Sequence, residues 1–413
     1  MMRAEAVVDV IVVGAAQVAT VRTADDPGVV VGGAVAIAAG RVLGVCPERE
    51  IDERFVVDPE TRRIDARGGL VLPGLVDPHT HLLFGGSRHE EFAMRLAGAD
   101  YLAILAAGGG IHSTVAATRA APDGEIVANA RRYLAQMLSF GVTTVEVKSG
   151  YGLSAPHELR LLRLAKVLSG DVAPRIVPTL LGAHTVPKEH ASNRDRYVAS
   201  VIDEMIPRAV AEGLAEACDV FLEKGAFEPS EARAILSAAK AAGLRTKLHA
   251  GQFTDQGGAE LAAELGAVSA DHLEHVSDAG LAAMATAGVA AVLLPGPGYA
   301  VRGAWANGRR MREAGLTVAL ATDCNPGTSH TTNLPLMALG AANHMGLTPS
   351  ECLYAVTRGA GLALGKADLG HLEPGARADI AILDLPDWRG LLYRFGAPLA
   401  TTVIVGGEVV WPG

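Results

Sequence analysis

The feature that most limits the possible folds is a regular alternation of short apolar segments with Ala-, Leu- and Glu-rich segments between residues 69 and 370. The apolar segments have the length of buried strands, and the segments between them have helical spacing. Eight strands joined by helices are typical of a closed parallel barrel, because consecutive parallel strands need a helical crossover. We therefore predict an α/β fold with a (β/α)8 (TIM) barrel. The predicted strands are 70–76 (interrupted at Pro73-Gly74), 143–148, 175–181, 219–222, 245–249, 270–273, 290–294 and 317–321, and the clearest helices are 126–140, 158–168, 231–242 and 279–287.

The two ends of the chain differ from the middle. Both contain short β-like segments separated by turn residues, and neither end is long enough to close a core alone. We expect both ends to combine into one small β-sandwich domain, formed by residues 1–68 and 371–413, with the barrel at 69–370 between them. The predicted strands are 7–13, 33–38, 41–45, 379–383, 402–405 and 408–411.

Composition argues against several classes of protein. The formal net charge of -9 disfavours nucleic acid or an anionic membrane as a partner, since both select clustered Lys and Arg. No apolar run approaches the ~20 residues that span a bilayer, and Glu5 and Asp9 interrupt any signal peptide. The four cysteines contain no CxxC pair, so neither a disulfide framework nor a cysteine zinc cluster is expected. These features predict a cytoplasmic protein whose main partner is neither nucleic acid nor a membrane.

The first predicted barrel strand ends in Asp77-Pro78-His79-Thr80-His81. Residues two apart in a strand point to the same side, so His79 and His81 project together, as two ligands of one metal ion must. The pair alone is more often just two polar residues at a strand end. The strand ends further along the chain decide between these interpretations.

Active sites of such barrels lie at the carboxyl ends of the strands. His184, His249, His272 and Asp323 end or follow predicted strands 3, 5, 6 and 8. Taken singly, His249 could be a hydrogen-bonded core residue and Asp323 could begin a turn. Together with the first pair, five of the 13 histidines lie where this fold places its chemistry. The set indicates one metal site.

These residue types suit a metal-dependent hydrolase. His79, His81, His249 and Asp323 form a mixed nitrogen and oxygen ligand set for one cation, with water completing it. A bound cation lowers the pKa of that water and polarises a carbonyl group. Asp323 can take the proton of the water and pass it to a leaving nitrogen, with His272 as a hydrogen-bonding partner beside it.

At this point the chain resembles the amidohydrolase superfamily, and further segments are similar to its imidazolonepropionase family. The resemblance covers essentially the whole chain. It implies hydrolysis of 4-imidazolone-5-propanoate to N-formimidoyl-L-glutamate, with one zinc or iron ion per chain. The segments that carry it are FGGSRHEEF at 84–92, AGGGI at 107–111, VKSGYGL at 147–153, LGAHTVP at 181–187, ADHLEH at 270–275 and ATDCNPGT at 321–328.

Such a substrate carries a carboxylate, which a guanidinium can bind through two hydrogen bonds. Arg88 follows the strand-1 histidines closely enough to reach the same barrel mouth. The resemblance places Tyr151 against the substrate and gives His184 the ring carbonyl. Tyr101 is either a second hydroxyl for the carboxylate or a packed helix residue. Further contacts implied by the resemblance come from the loop after the eighth strand, at Asn325, Gly327 and Thr328.

Gln252 departs from the pattern, because some family members have Glu at this position with an assigned acid–base role. Glutamine cannot exchange a proton at neutral pH but can hydrogen-bond a ring N–H and C=O. We predict that Gln252 orients the ring while Asp323 and His272 move the protons.

Three alternatives stay open. A two-metal site would use Glu223 or Lys224 near the end of strand 4, although an ion pair or a helix start is favoured for them. The scaffold also suits another cyclic amidohydrolase or a deaminase, which would not need Arg88 and Tyr151. A non-catalytic scaffold protein would have lost its ligands, and here the set is intact. A homodimer is expected from the size of the barrel.

Overall fold

The structure is a computed structural model that describes residues 7–99, 108–171 and 173–412. Its strands are β1 Val10–Val13, β2 Gln17–Ala19, β3 Val29–Val31, β4 Gly33–Ala38, β5 Arg41–Pro47, β6 Arg62–Asp65, β7 Leu70–Pro73, β8 Leu75–Asp77, β9 Val142–Lys148, β10 Arg175–Ala183, β11 Ala217–Leu222, β12 Arg245–Ala250, β13 Ser269–His272, β14 Ala290–Leu293, β15 Val318–Leu320, β16 Ile380–Leu383, β17 Ala400–Val405 and β18 Glu408–Trp411.

The α-helices of the described residues lie mainly between the barrel strands. They span Ile51–Arg54, His89–Leu96, Ile111–Ala120, Asp123–Ser139, Ala155–Asp171, Arg194–Ser200, Ile206–Ala211, Pro229–Ala241, Gly258–Leu265, Asp278–Ala287, Pro295–Val301, Gly308–Glu313, Leu334–His344, Pro349–Ala355, Arg358–Ala363 and Gly390–Tyr393. None of them is long and apolar enough to cross a bilayer.

The predicted barrel is confirmed. Strands β8 to β15 form one parallel sheet in which each strand pairs with the next strand in the chain. The first and last strands meet beyond their carboxyl ends through a bridge between Thr80 and Cys324. There the Asp323 amide donates to the His79 carbonyl at 3.1 Å, and the His81 amide donates to the Cys324 carbonyl at 3.0 Å. The barrel therefore closes at the edge that carries the predicted ligands.

The interruption predicted at Pro73-Gly74 separates two strands that belong to different sheets. Strand β7 pairs with β16 and β2, whereas β8 pairs with β9 in the barrel. A Cβ atom at Gly74 would lie 2.1 Å from Thr143 Oγ1, so only glycine lets the chain pass at this distance. The strand predicted at 70–76 thus connects the two parts of the molecule.

The two chain ends build a pair of sheets with the orders β5-β4-β1-β6 and β18-β17-β16-β7-β2-β3. The second sheet combines strands from both ends, and one apolar cluster, which includes Val12, Ile37, Val71, Ile380 and Ile404, lies between the sheets. This arrangement is the expected β-sandwich. The domain limits at 68 and 370 stay a prediction. Strand β7 follows the first of these limits but pairs within the sandwich.

Candidate metal centre and substrate cavity

Three buried histidines meet at the carboxyl ends of the barrel strands. One ring nitrogen from each of His79, His81 and His249 lies within 4.8 Å of the others. The Nε2 atoms of His79 and His81 are 3.2 Å apart. Asp323 Oδ1 lies 3.7 Å from the first of these atoms and 3.6 Å from the second. The structure brings all four predicted ligands together, and their binding of a metal stays a prediction.

Two carboxylates set the orientation of the histidine rings. His79 Nδ1 lies 2.7 Å from Asp271 Oδ2, and His249 Nδ1 lies 3.0 Å from Asp219 Oδ2. A carboxylate at Nδ1 holds the proton there and leaves Nε2 with a free lone pair. Within the described residues, His249 Nε2 is buried and has no hydrogen-bond partner. A buried acceptor of this kind fits a metal ligand.

The electrostatics also favour neutral rings. Burial is the largest cause that lowers the pKa of His79, His81 and His249, and the first two fall well below their usual value. Histidine must be unprotonated to bind a metal, so the chain presents these rings in the form that a cation needs.

Asp323 reaches the cluster from a constrained turn. Its φ is +52°, a left-handed conformation that costs a non-glycine residue of order 1–3 kcal/mol. The backbone bonds across the barrel closure hold it there. Burial raises the pKa of its carboxyl to about 7, with the charge of His272 as the largest opposing effect. Burial therefore makes this carboxyl a stronger proton acceptor than an aspartate at the surface.

A cavity of about 730 Å³ opens onto the histidine cluster, a size that suits a small-molecule site. Most of the predicted site residues line this cavity: His81, Arg88, Tyr151, His184, His249, Gln252, His272, Asp323, Asn325 and Thr328. Tyr101 lies outside the described residues.

Arg88 is held in place before any substrate arrives. Its Nε and Nη2 donate to Glu91 Oε2 at 3.0 and 2.7 Å, and the other oxygen of Glu91 accepts from the Gly110 amide at 3.1 Å. Gly327 lies behind the guanidinium, since a Cβ there would be 2.1 Å from Arg88 Nη1. The predicted contact residue Gly327 therefore acts in this structure by leaving room for Arg88.

Two aromatic side chains line the wall beside the histidines. His184 stacks on His81 with ring centroids 5.0 Å apart, and its Nδ1 lies 2.9 Å from the Gly150 carbonyl. That carbonyl holds the proton at Nδ1, so Nε2 is left as an acceptor, and burial lowers the pKa of the ring to about 3. The Tyr151 ring is 5.3 Å from His184.

The loops after strands β11, β12 and β15 complete the wall. The Asn325 side chain organises its own loop, because its oxygen accepts from the Gly327 and Thr328 amides at 2.8 Å and its nitrogen donates to the Asp323 carbonyl at 2.6 Å. Glu223 accepts from the Phe253 amide at 2.8 Å, rather than forming the expected ion pair or helix start. It thereby fixes the loop that contains Gln252.

Sequence reasoning missed a layer of buried charges beneath the histidines, in strands β9, β11, β12 and β13. The signal was the two-residue alternation of charge within strands that are buried along their length. The layer consists of Glu146, Lys148, Asp219, Lys247 and Asp271.

A parallel barrel whose strand ends carry a histidine cluster and an aspartate defines a class of metal-dependent hydrolases. The sequence model described as "Amidohydrolase family" matches residues 70–410, and the chain belongs to that family. An adenosine deaminase from Xanthomonas campestris, solved with bound zinc, shares the fold with a TM-score of 0.71 at 20% identity, over 98% of this chain and 93% of that one.

Similar curated relatives indicate to which group within the family the chain belongs. An imidazolonepropionase from Geobacillus kaustophilus is 49% identical over 387 residues, which cover 93% of this chain and 91% of that protein. One from Symbiobacterium thermophilum is 46% identical over 413 residues, with 98% and 97% coverage. Within the amidohydrolases, the chain belongs with the imidazolonepropionases.

Proposed function

We propose that this chain is an imidazolonepropionase, which hydrolyses the cyclic amide of 4-imidazolone-5-propanoate to N-formimidoyl-L-glutamate. The identity to curated imidazolonepropionases over more than nine-tenths of the chain carries this proposal. The cavity supports it, because the guanidinium of Arg88 and the histidine cluster face the same space. One group suits the carboxylate tail and the other suits the ring amide.

We propose that His79, His81, His249 and Asp323 hold one zinc or iron ion. When bound, such an ion supplies a Lewis acid and lowers the pKa of a water molecule. The protein's own residues bind and orient the substrate. Arg88, already fixed by Glu91, binds the substrate carboxylate, and Gln252 orients the ring by hydrogen bonding. These contacts hold the amide carbon near the ligands.

Water adds to the ring carbonyl carbon, and the bond between that carbon and the ring nitrogen breaks. One proton of the water passes to the leaving nitrogen, and the other is lost to solvent, which leaves a carboxylate. Asp323 is the proposed acceptor of the water proton and its donor to the leaving nitrogen, because its carboxylate faces the cavity beside the histidine cluster. His272 lies in the same cavity and assists this transfer. His184 presents Nε2 as an acceptor, so we propose that it contacts a ring N–H rather than the ring carbonyl predicted from the sequence.

We further propose a cytoplasmic homodimer that acts on this small molecule alone. The four cysteines are free and buried, which suits a reducing compartment. Tyr393 and Phe395 expose 89% and 62% of their surface and offer apolar area to a second subunit. Light scattering of the purified chain tests the dimer directly.

The activity is tested by following substrate absorbance in ¹⁸O-labelled water and identifying the product by mass spectrometry. We expect N-formimidoyl-L-glutamate with one ¹⁸O atom in the new carboxylate. A different cyclic amide, such as a ring without the propanoate, serves as the comparison substrate. Faster turnover of that amide, or ammonia release from an aminated ring, would favour the other amidohydrolase or deaminase alternative. No turnover of any ring would favour a scaffold protein.

A further inference from the structure

Lys148 is fully buried in strand β9, where a lysine needs close anionic partners. Its Nζ lies 2.7 Å from Asp219 Oδ2, 2.8 Å from Glu146 Oε2 and 3.8 Å from Asp271 Oδ2. These three carboxylates come from three different barrel strands. One ammonium group therefore ties strands β9, β11 and β13 together below the cavity.

Two of these carboxylates also contact histidines, in each case through the Oδ2 atom that faces Lys148. Asp219 contacts His249, and Asp271 contacts His79, in both cases at Nδ1. The contacts form two arms that start at one ammonium group and end at two predicted metal ligands. The residues of these arms are separated by up to 192 positions in the sequence.

We propose that Lys148 is a positioning residue for the metal centre, because it donates to Asp219 and lies 3.8 Å from Asp271, and through these carboxylates it sets the direction in which His249 and His79 present Nε2. The proposal rests on the metal site of the proposed function and adds a residue that touches neither metal nor substrate. Loss of the carboxylate that holds a metal-ligating histidine typically changes metal affinity by about 10–100-fold, and Lys148 acts through two such carboxylates.

Lys247 provides a matched comparison. It is equally buried, its Nζ donates to the Pro78 carbonyl at 2.8 Å, and it lies 3.2 Å from Glu146 and 3.6 Å from Asp271. Among the described contacts it has none with Asp219. Removing its charge should therefore disturb only the arm that ends at His79.

The test is a calorimetric titration of Zn²⁺ into the metal-free full chain and into Lys148→Met and Lys247→Met, with thermal unfolding of each metal-free protein. We expect Lys148→Met to weaken Zn²⁺ binding at least about tenfold and Lys247→Met to weaken it clearly less. Both variants should lower the unfolding temperature, since each removes a buried cation from its partners. Comparison of affinity with stability separates positioning from a merely structural role.

Zn²⁺ affinity of Lys148→Met within twofold of the parent, or an equal loss in both variants, would overturn the proposal. If Lys148→Met does not fold, the double variant Glu146→Gln/Lys148→Met removes one charge of each sign and leaves both arm carboxylates in place. This double variant should still bind Zn²⁺ at least about tenfold more weakly than the parent. An affinity equal to that of the parent would contradict the positioning role of Lys148. A parent chain that binds no Zn²⁺ would instead refute the metal site itself.

Discussion

The floor and the mouth of the cavity are built in different ways. The floor consists of His79, His81 and His249, which lie in or directly after barrel strands, and buried carboxylates hold His79 and His249 from below. The mouth consists of loop residues such as Arg88 and Asn325, which are held by local hydrogen bonds within a few residues. The floor is thus fixed by the barrel as a whole, whereas each part of the mouth is fixed by its own loop.

This difference separates chemistry from selectivity. Strand-borne groups keep their geometry when loops change, and barrels of this kind support many reactions for that reason. The adenosine deaminase that shares the fold at 20% identity illustrates the point. Changes to the floor should therefore abolish turnover of every substrate, and changes to the mouth should alter which substrate is preferred.

The largest effect is expected from His249→Ala, which breaks the floor. Loss of a metal ligand removes several kcal/mol of transition-state stabilisation, so kcat/KM should fall at least about 1000-fold. Bound metal, measured by atomic emission, should fall in parallel. The control variant is His344→Ala. His344 is exposed, and its ring centroid lies 4.3 Å from that of Trp305. We expect the metal content of this variant to be unchanged. Full metal occupancy in His249→Ala would remove this histidine from the ligand set.

A smaller and more selective effect is expected from Arg88→Met at the mouth. Charge-assisted hydrogen bonds contribute about 1.5–3 kcal/mol, so kcat/KM for the propanoate substrate should fall roughly 10–100-fold. An analogue without the carboxylate should be turned over equally well by both proteins. Arg131→Met, which removes a surface ion pair with Asp171, is the control. An equal loss with both substrates would mean that Arg88 does not bind the carboxylate.

Gly327→Ala sharpens the same comparison because it moves Arg88 without removing it. The new methyl group would lie 2.1 Å from Arg88 Nη1, so the guanidinium must shift. We expect KM to rise about three- to tenfold with kcat nearly unchanged. Gly124→Ala is the matched control, since a Cβ at Gly124 meets nothing within 4 Å. If Gly327→Ala raises KM just as much in an Arg88→Met background, the two residues do not act together.

The smallest effect is expected from Glu91→Gln, which changes the carboxylate that holds Arg88 at the mouth. Burial alone would raise the pKa of Glu91, but the hydrogen bond from Arg88 holds it below its usual value of 4.5. An acid with a lowered folded-state pKa stabilises the fold above its unfolded pKa and loses that contribution as the pH falls. Glu91→Gln should therefore cost about 1 kcal/mol of unfolding free energy at neutral pH.

Urea unfolding from about pH 7 to about pH 3.5 measures this dependence. The difference between parent and Glu91→Gln should shrink as the pH falls below 4.5. A difference that stays constant across this range would show that the Glu91 charge does not stabilise the fold.

The sequence predicted that the floor histidines would meet because their positions follow a local rule. His79 and His81 are two residues apart at a strand end, and His249 ends another strand, so strand alternation and barrel topology suffice. It did not predict the link from Lys148 to Asp219. Alternation shows that Lys148 points into the barrel, but its partner depends on the register between strands, which has no local signal.

The mouth was predicted largely through the family resemblance. A loop arginine is usually exposed, and nothing in the local sequence shows that Glu91 holds Arg88 or that Gly327 leaves space for it. The division of the predicted first strand at Gly74 also depends on a contact that the local sequence does not show. The sequence pattern indicated an interruption there, but glycine is necessary because Thr143, which is distant in the chain, approaches closely.

The most direct measurement is a titration of the metal-free chain with Zn²⁺ while the consumption of 4-imidazolone-5-propanoate is followed by absorbance. Activity should be absent before metal is added, rise in proportion to the metal and stop rising at one equivalent per chain. Turnover that survives complete metal removal, or that keeps rising to two equivalents, would contradict a single cation held by His79, His81, His249 and Asp323.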